Sequence, residues 1–315
     1  MATSPANSRI AVSLWVLLFA LPGGAVAQTA FSRIVVFGTS LSDPGNVFAL
    51  TGEHSVPPYL TLDEFLIPGA PYAKGGHHFS NGATWIEQLA RPLGLSAYVQ
   101  PAFKSAGAKA ANYAVGGSRA YNGGLSVQVN AFLYDSGNLA PSDALYVLEF
   151  GGNDIRDALV DAMVHGETMI LDNALAEIAR NLQVLYGAGA RHFFIWNAPN
   201  VSLAPAIQMV GEPAITYAML FTQGFNAGLD AVLGGLSALP EIELVKFDIY
   251  GVLTGMVTDP EAFGLSVVDT ACVMPDNPPF ECRIPDDYLF WDGVHPTRAV
   301  HAILAQEAAI VLAEP

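Results

Sequence analysis

The amino-acid sequence predicts an α/β protein with three layers, α/β/α, in which a central and mainly parallel sheet lies between two layers of helices. Two observations lead to this prediction. From residue 33 onward, short β-rich runs alternate with longer segments of helical periodicity, an alternation typical of parallel sheets with helices on both faces. The β-rich runs also end in turns rich in glycine and polar residues, as expected where buried strands reach the edge of a sheet.

The individual elements follow from the local pattern. Runs rich in β-branched and aromatic residues predict strands, in chain order, at residues 33–38, 110–115, 144–150, 191–197 and 242–248. Apolar residues recur at helical spacing in three longer segments. The first of these helices contains Leu171, Leu175, Ile178, Leu182 and Leu185 and is closed by Gly187 and Gly189. The other two predicted helices cover residues 216–236 and 297–314.

The amino terminus has the pattern of a secretory signal peptide. Arg9 precedes an apolar run from Ile10 to Leu21, and the small residues Ala25-Val26-Ala27 follow. The apolar run is too short to span a bilayer, so we expect residues 1–27 to be cleaved and no integral membrane segment to remain. An uncleaved anchor is the alternative. The prediction is a secreted or periplasmic protein whose residues 28–315 form one domain, since no low-complexity linker divides them.

Charge and cysteine content limit the possible functions. The formal net charge is −16, with 13 Lys and Arg against 29 Asp and Glu, which argues against binding to nucleic acid. In an oxidising compartment Cys272 and Cys282, the two cysteines of the chain, predict one disulfide, with two free thiols as the alternative. Two cysteines alone supply too few ligands for a metal site.

Ser40 is the candidate nucleophile. It follows Phe37-Gly38-Thr39 at the end of the first predicted strand, where parallel sheets open into a crevice that holds reactive side chains. The alternative is that Ser40 only caps a helix, because hydroxyl side chains commonly satisfy the free amides at a helix start.

A serine hydroxyl needs a base, and His295 is the best candidate among seven histidines. In "FWDGVHPTR", Asp292 precedes His295 by three residues. A carboxylate at that spacing can fix the imidazole tautomer and stabilise the imidazolium formed in catalysis. A capping aspartate beside a surface histidine is the alternative interpretation.

Acyl transfer also needs hydrogen-bond donors for an oxyanion. Three are available: the N–H of Ser40, the N–H of Gly117 in "NYAVGGS", and the side chain of Asn153 in "GGND". Taken alone, each Gly-Gly turn could equally be loop punctuation. However, three polar turns follow predicted strands, and parallel strands place their carboxyl ends at one edge of the sheet.

These residues together resemble the GDSL (SGNH) hydrolases. Gly38-Thr39-Ser40-Leu41, "NYAVGG", "GGND" and "DGVHP" match the four blocks of that family in order, from about Ile34 to the last helix. Further matches at 79–90, 197–205, 225–230 and 287–297 are similar to its lipase-like branch of secreted lecithinases and haemolysins. The resemblance implies a flavodoxin-like SGNH fold, with Ser40 as nucleophile, Gly117 and Asn153 completing the oxyanion hole, His295 as base and Asp292 orienting it.

One residue departs from the family pattern. Thr39 stands where the family name has Asp. An acid at that position would brace the turn through hydrogen bonds, and a threonine hydroxyl retains part of that capacity. We therefore expect a less rigid turn rather than a loss of activity.

The expected activity is hydrolysis of carboxylic esters, either lipid esters or short-chain acyl esters, without a metal or organic cofactor. A sugar O-acetyl esterase, an acyltransferase of the same family and a non-catalytic secreted binding module are the alternatives. The segment 47–79 is the expected wall of the substrate site. In it, Tyr59, Leu60, Phe65, Leu66 and Ile67 line either an acyl groove or a local core.

Overall fold

Four parallel strands form the central sheet, in the order β1-β2-β3-β4. They are β1 (Arg33–Phe37), β2 (Ala144–Leu148), β3 (His192–Trp196) and β4 (Glu243–Phe247), each within one of the predicted strand segments. The structure is a computed structural model that describes residues 31–104, 109–166 and 168–313. The predicted signal peptide, residues 1–27, lies outside the described residues.

The predicted strand at 110–115 is an extended edge segment rather than a regular strand. Its backbone bonds to β1 on the side away from β2, through Val36 N to Ala111 O at 2.9 Å and Tyr113 N to Val36 O at 2.8 Å. The ladder is interrupted because the N–H of Gly38, the next ladder donor after Val36, bonds instead to Oε1 of Gln128 at 2.8 Å. The segment therefore extends the sheet without forming a continuous fifth strand.

Nine α-helices lie within the described residues. They are α1 (Asn46–Thr51), α2 (Trp85–Ala90), α3 (Gly124–Asp135), α4 (Gly152–His165), α5 (Ile170–Gly187), α6 (Pro205–Val210), α7 (Ala214–Leu236), α8 (Ile249–Thr258) and α9 (Arg298–Ala313). The predicted helices at 171–185, 216–236 and 297–314 correspond to α5, α7 and α9.

Two hydrophobic cores lie on opposite faces of the sheet. Side chains alternate along β1, so that Ile34 and Val36 face one core, whereas Val35 and Phe37 face the other. Helices α2, α8 and α9 cover the first face, and α3, α5 and most of α7 cover the second. This arrangement is the predicted three-layer α/β/α fold with a central parallel sheet.

The carboxyl ends of the strands come together at one edge of the sheet. Phe37 of β1 pairs with Leu148 of β2, and Leu148 pairs in turn with Ile195 of β3. The turns that follow these residues therefore start side by side, although 110 positions separate Thr39 from Glu149 in the sequence. This register brings the predicted site residues of the first two turns into one region.

A small parallel pair, β5 (Val267–Ala271) and β6 (Tyr288–Phe290), lies outside the main sheet. The Cys272–Cys282 disulfide closes the Pro-rich loop that follows β5, and β6 leads directly to the segment of Asp292 and His295. Within the described ranges, no helix has the length and apolar character needed to cross a bilayer.

Candidate active site

Ser40 lies in a tight turn immediately after β1. Its side chain is nearly buried, and its Oγ is 2.8 Å from Nε2 of His295. The helix that follows begins at Asn46 with Gly45 as its N-cap, so the alternative interpretation of Ser40 as a helix cap is wrong. The turn instead aims the hydroxyl at an imidazole 255 residues later in the chain.

His295 connects Ser40 to a buried carboxylate. Its Nδ1 is 2.8 Å from Oδ2 and 3.0 Å from Oδ1 of Asp292. Asp292 is fully buried, and its Oδ1 also accepts the backbone N–H groups of Val294 at 2.9 Å and His295 at 2.8 Å. The carboxylate thus sets both the local turn and the orientation of the imidazole. An N–H on Nδ1 leaves Nε2 free to accept the Ser40 proton.

Tyr72 is a further partner of Asp292 that the sequence pattern did not reveal. Its hydroxyl donates to Asp292 Oδ2 at 2.9 Å from a fully buried position. Burial, followed by the charge of Asp292, raises the pKa of Tyr72 well above its ordinary value, so the phenol remains a donor. The two residues are 220 positions apart, which explains why no local motif signals this contact.

Glu149 occupies the space beside Thr39. The Thr39 N–H donates to Glu149 Oε2 at 2.9 Å, and the Thr39 hydroxyl donates to Oε1 at 2.8 Å. Both side chains are buried. Burial raises the pKa of Glu149 to about 7, against the opposing effect of the hydrogen bonds from Thr39. The expectation of a less rigid turn took no account of this carboxylate, which comes from the end of β2.

Asp43 joins the nucleophile turn to the segment that contains Gly117. Its carboxylate accepts the N–H of Gly45 at 2.8 Å, the N–H of Val47 at 3.2 Å and, across the site, the N–H of Gly116 at 2.8 Å. Burial raises the pKa of Asp43 to about 6, with these backbone hydrogen bonds opposing the rise. One acidic side chain therefore fixes the relative position of two of the predicted turns.

The three predicted oxyanion donors differ in their placement. Ser40 and Asn153 line the same cleft as His295. Gly117 is exposed, has φ +77° and is not among the residues that line that cleft. Asn153 is tied to the Gly117 turn, because its Nδ2 donates to the carbonyl of Ser118 at 3.0 Å. An amide nitrogen carries two hydrogens, so Asn153 retains one donor for another acceptor.

The cleft at Ser40 is small and adjoins a larger apolar groove. The cleft has a volume of about 90 Å³, whereas the groove has a volume of about 610 Å³. Arg156 and Ile207 line both. This apolar groove is formed mainly by Phe65, Ile67, Leu159, Val160, Met163 and Ile207.

The loop residues expected to line either an acyl groove or a local core do not all have the same role. Phe65 and Ile67 line the apolar groove. Tyr59 packs instead against Tyr72 and Trp291 in a small local core, and Leu60 is 81% exposed. Leu66 contributes its backbone carbonyl, which accepts the N–H of Gly293 at 2.9 Å. The same loop therefore both supports the Asp292 turn and forms one wall of the groove.

Metal ligands would have to come from clustered acidic, histidine or cysteine side chains. Across residues 31–104, 109–166 and 168–313, no group of three or more such side chains is arranged to hold a metal ion. Ser40 and His295 line the cleft with the nearby donors, and Asp292 contacts the imidazole of His295. This is the arrangement of groups that acyl transfer to a serine requires.

Comparison with known proteins gives consistent matches over nearly the whole chain. A family model described as GDSL-like Lipase/Acylhydrolase matches residues 34–308. A GDSL esterase/lipase of Arabidopsis thaliana is 27% identical over 341 residues, covering 93% of this chain and 95% of the relative. The thermolabile hemolysin of Vibrio parahaemolyticus is 24% identical over 304 residues, covering 90% of this chain and 64% of the hemolysin.

The matches to solved structures are more distant. An acetylxylan esterase from Geobacillus stearothermophilus is 12% identical with a TM-score of 0.47, covering 91% of this chain and 97% of that chain. An extracellular lipase from Streptomyces rimosus is 15% identical with a TM-score of 0.38, covering 88% and 99%. The family match confirms the resemblance drawn from the four sequence blocks. The chain belongs to the GDSL-like lipase/acylhydrolase family and is a carboxylic ester hydrolase.

Proposed function

We propose that this protein hydrolyses esters by two-step acyl transfer, with Ser40 as nucleophile, His295 as general base and Asp292 as the group that orients the imidazole. The single observation that supports this most directly is the continuous contact from Ser40 Oγ to His295 Nε2 at 2.8 Å and from His295 Nδ1 to Asp292 Oδ2 at 2.8 Å. The first distance lies within the range for proton transfer between nucleophile and base, and the second is a hydrogen bond that orients the imidazole.

In the first step, Ser40 Oγ bonds to the ester carbonyl carbon while its proton passes to His295 Nε2. The resulting imidazolium is stabilised by the buried Asp292 carboxylate. The C–O bond to the alcohol then breaks, and His295 returns the proton to the departing oxygen. A water molecule repeats the sequence on the acyl-serine and releases the carboxylic acid.

The negative charge on the carbonyl oxygen needs donors during both steps. We assign this role to the N–H of Ser40, the N–H of Gly117 and the free amide hydrogen of Asn153. The hydrogen bond from Asn153 to Ser118 O supports a shared site, because it holds the Gly117 turn against the start of α4. Gly117 adopts a φ of +77°, which favours glycine and leaves its backbone accessible to a substrate.

Esters with a hydrocarbon chain are the preferred substrate class in this proposal. The apolar groove of about 610 Å³ adjoins the cleft, and its volume falls in the range of roughly 300–1,000 Å³ seen for small-molecule sites. We also propose that the chain is exported, secreted or periplasmic, after cleavage of residues 1–27, and that residues 28–315 form one catalytic domain.

The test is hydrolysis of p-nitrophenyl esters from acetate to palmitate by the purified protein and its Ser40→Ala variant. We expect the variant to lose activity on every ester, and a phosphonate inhibitor to leave its adduct on Ser40 of the wild-type protein. An adduct elsewhere, or equal activity in both proteins, would contradict the assignment. Determination of the first residue of the exported protein tests the predicted cleavage before Gln28.

A further inference from the structure

Arg156 is a half-buried cation at the junction of the cleft and the apolar groove. Among the described residues, its guanidinium donates no hydrogen bond and has no carboxylate oxygen within 4.0 Å. The nearby acidic side chains are occupied elsewhere. Asp157 binds Arg119 through two contacts of 2.6 and 3.0 Å, and Asp63 accepts the N–H groups of Phe65 and Ile67, both at 2.9 Å.

An unpartnered arginine in this position is unexpected for the chain as a whole. Acidic residues outnumber Lys and Arg by 29 to 13, so a cation has ample opportunity to find a carboxylate. Arginine provides planar, paired N–H donors that match carboxylate and phosphate oxygens. A half-buried guanidinium whose N–H groups bond to no other described residue is therefore suited to bind a carboxylate or phosphate group of a ligand.

Helix α4 places this cation in line with the other parts of the site. Asn153, Arg156, Val160 and Met163 recur at intervals of three and four residues, and all four line the cleft or the groove, so they share one helical face. At 1.5 Å per residue, Arg156 lies roughly one turn beyond Asn153, and the apolar side chains follow over about the next 10 Å. The face thus presents an oxyanion donor, a cation and an apolar surface in that order.

The apolar part of this face is open to a ligand. Val160 is 59% exposed and Met163 is 50% exposed, although both are apolar and line the groove. Because Arg156 and Ile207 line both the groove and the cleft, the two adjoin, and we expect the occupant of the groove to be part of the molecule that Ser40 attacks. A hydrocarbon chain fits this apolar lining better than a sugar does.

We infer that the enzyme is selective for anionic amphiphilic esters, in which Arg156 binds a carboxylate or phosphate close to the scissile ester and the apolar groove holds a hydrocarbon chain. This inference rests on the proposed function of Ser40, since it specifies the substrate of the same site. Arg156 acts in it as a specificity-determining residue.

The kinetic test uses matched pairs of esters that differ only in charge, at concentrations below micelle formation. One pair is O-octanoylglycolate with O-octanoylglycolamide, which tests a carboxylate. The other is 1-octanoylglycerol 3-phosphate with 1-octanoylglycerol, which tests a phosphate. For the wild-type enzyme we expect kcat/KM to favour the charged member of at least one pair by about 10-fold or more, as is typical of a charge-assisted hydrogen bond.

Two substitutions separate a local effect from a change in net charge. Arg156→Gln should reduce the ratio of charged to neutral kcat/KM to near one. Arg91→Gln makes the same charge change at an exposed position that lines neither the cleft nor the groove, and it should preserve the ratio. A ratio near one in the wild-type enzyme for both pairs would overturn the inference. A loss shared equally by both members in Arg156→Gln would also overturn it, because that result indicates a structural role.

A binding measurement keeps the inference testable apart from turnover. Ser40→Ala protein should bind octyl phosphate or octanoate more tightly than octanol in calorimetric titration. The Ser40→Ala/Arg156→Gln protein should bind the anion about 10-fold more weakly. If the Arg156 change leaves anion binding unaltered, the inference fails even when ester hydrolysis by Ser40 is established. If no ester is hydrolysed but Arg156-dependent binding is found, the proposed catalytic function fails instead.

Discussion

The contact between Thr39 and Glu149 allows a reciprocal mutational test of the nucleophile turn. The motif of the family places an acid at position 39, but here the acid is Glu149 and its partner is Thr39, joined by contacts of 2.9 and 2.8 Å. If the turn requires one carboxylate, whichever strand supplies it, then moving the carboxylate from 149 to 39 should preserve function. The double variant Thr39→Asp/Glu149→Gln makes this exchange.

Each single variant should impair the enzyme for a different reason. Glu149→Gln replaces one of the two oxygens that accept from the Thr39 N–H and hydroxyl. Above pH 7, where Glu149 is ionised, the loss of a hydrogen bond to a charged group corresponds to about 1.5–3 kcal/mol. We expect kcat/KM to fall roughly 10- to 100-fold, since 1.4 kcal/mol corresponds to a factor of 10. Thr39→Asp places two carboxyl groups in contact in a buried site, where they cannot both ionise.

The pH dependence distinguishes positioning from a simple folding defect. For Thr39→Asp we expect a loss of about 100-fold relative to wild type at pH 8 and a smaller relative loss at pH 5.5, where the two carboxyl groups share a proton. In the double variant the amide introduced at position 149 can donate to the carboxylate introduced at position 39, so kcat/KM should exceed that of either single variant. Thr39→Ser retains both donors to Glu149 and serves as the control, with activity expected within about threefold of wild type.

The assay is hydrolysis of p-nitrophenyl butyrate between pH 5 and 9 for the four variants and the wild type, with circular dichroism as a check of folding. A shared requirement for one carboxylate is refuted if the fold loss of kcat/KM in the double variant equals or exceeds the product of the fold losses in the two single variants. Such a result would mean that the residues contribute independently rather than as a pair.

Three further changes have defined expected outcomes. Asn153→Ala should lower kcat about 100- to 1,000-fold with little change in KM, measured by steady-state ester hydrolysis, because it removes a donor to the developing oxyanion. Replacing Cys272 and Cys282 with serine opens a loop with a sequence separation of 10 and should reduce the free energy of unfolding by about 3 kcal/mol in urea titrations. An unchanged stability would show that the loop adds no constraint to the unfolded chain. Folding raises the pKa of Glu149 from 4.5 to about 7, so its contribution to stability is present below pH 4.5 and is lost as the pH rises through 7. In urea unfolding at pH 4.5, 6 and 8, the free energy of unfolding of the wild type should therefore fall by roughly 3 kcal/mol relative to that of Glu149→Gln over that range. If the free energies of the two proteins change with pH in parallel, the raised pKa is contradicted.

The residues that the sequence identified best are those within short motifs. Ser40 follows an apolar strand, and Asp292 precedes His295 by three residues, so local chemistry makes them candidates and the resemblance to four ordered family blocks implies their roles. The structure brings these three side chains into contact. The central strands were predicted for the same reason, because runs such as residues 144–150 are buried on both faces and therefore almost uniformly apolar.

The elements that escaped prediction depend on contacts between distant parts of the chain. Tyr72 reaches Asp292 across 220 positions, and a tyrosine in a Pro-rich loop has no pattern that distinguishes it. Residues 110–115 have strand composition, but the N–H of Gly38 that would continue the ladder bonds to the Gln128 side chain, 90 positions away. Glu149 did leave a signal, since a lone acid at the end of the apolar run 144–150 is costly to bury without a partner.

The sheet register explains why a carboxylate at 149 can stand beside position 39. Phe37 pairs with Leu148 in parallel, so the residues that follow them leave the sheet side by side. The chain after β1 needs an acceptor for the N–H and hydroxyl of Thr39, and either strand end can carry it. An acid immediately before the nucleophile is therefore one way to meet a spatial requirement that a neighbouring strand can also meet. A requirement for one carboxylate in this space predicts that a residue other than Asp is tolerated at position 39 where position 149 holds an acid. It also predicts that acids at both positions impair the enzyme.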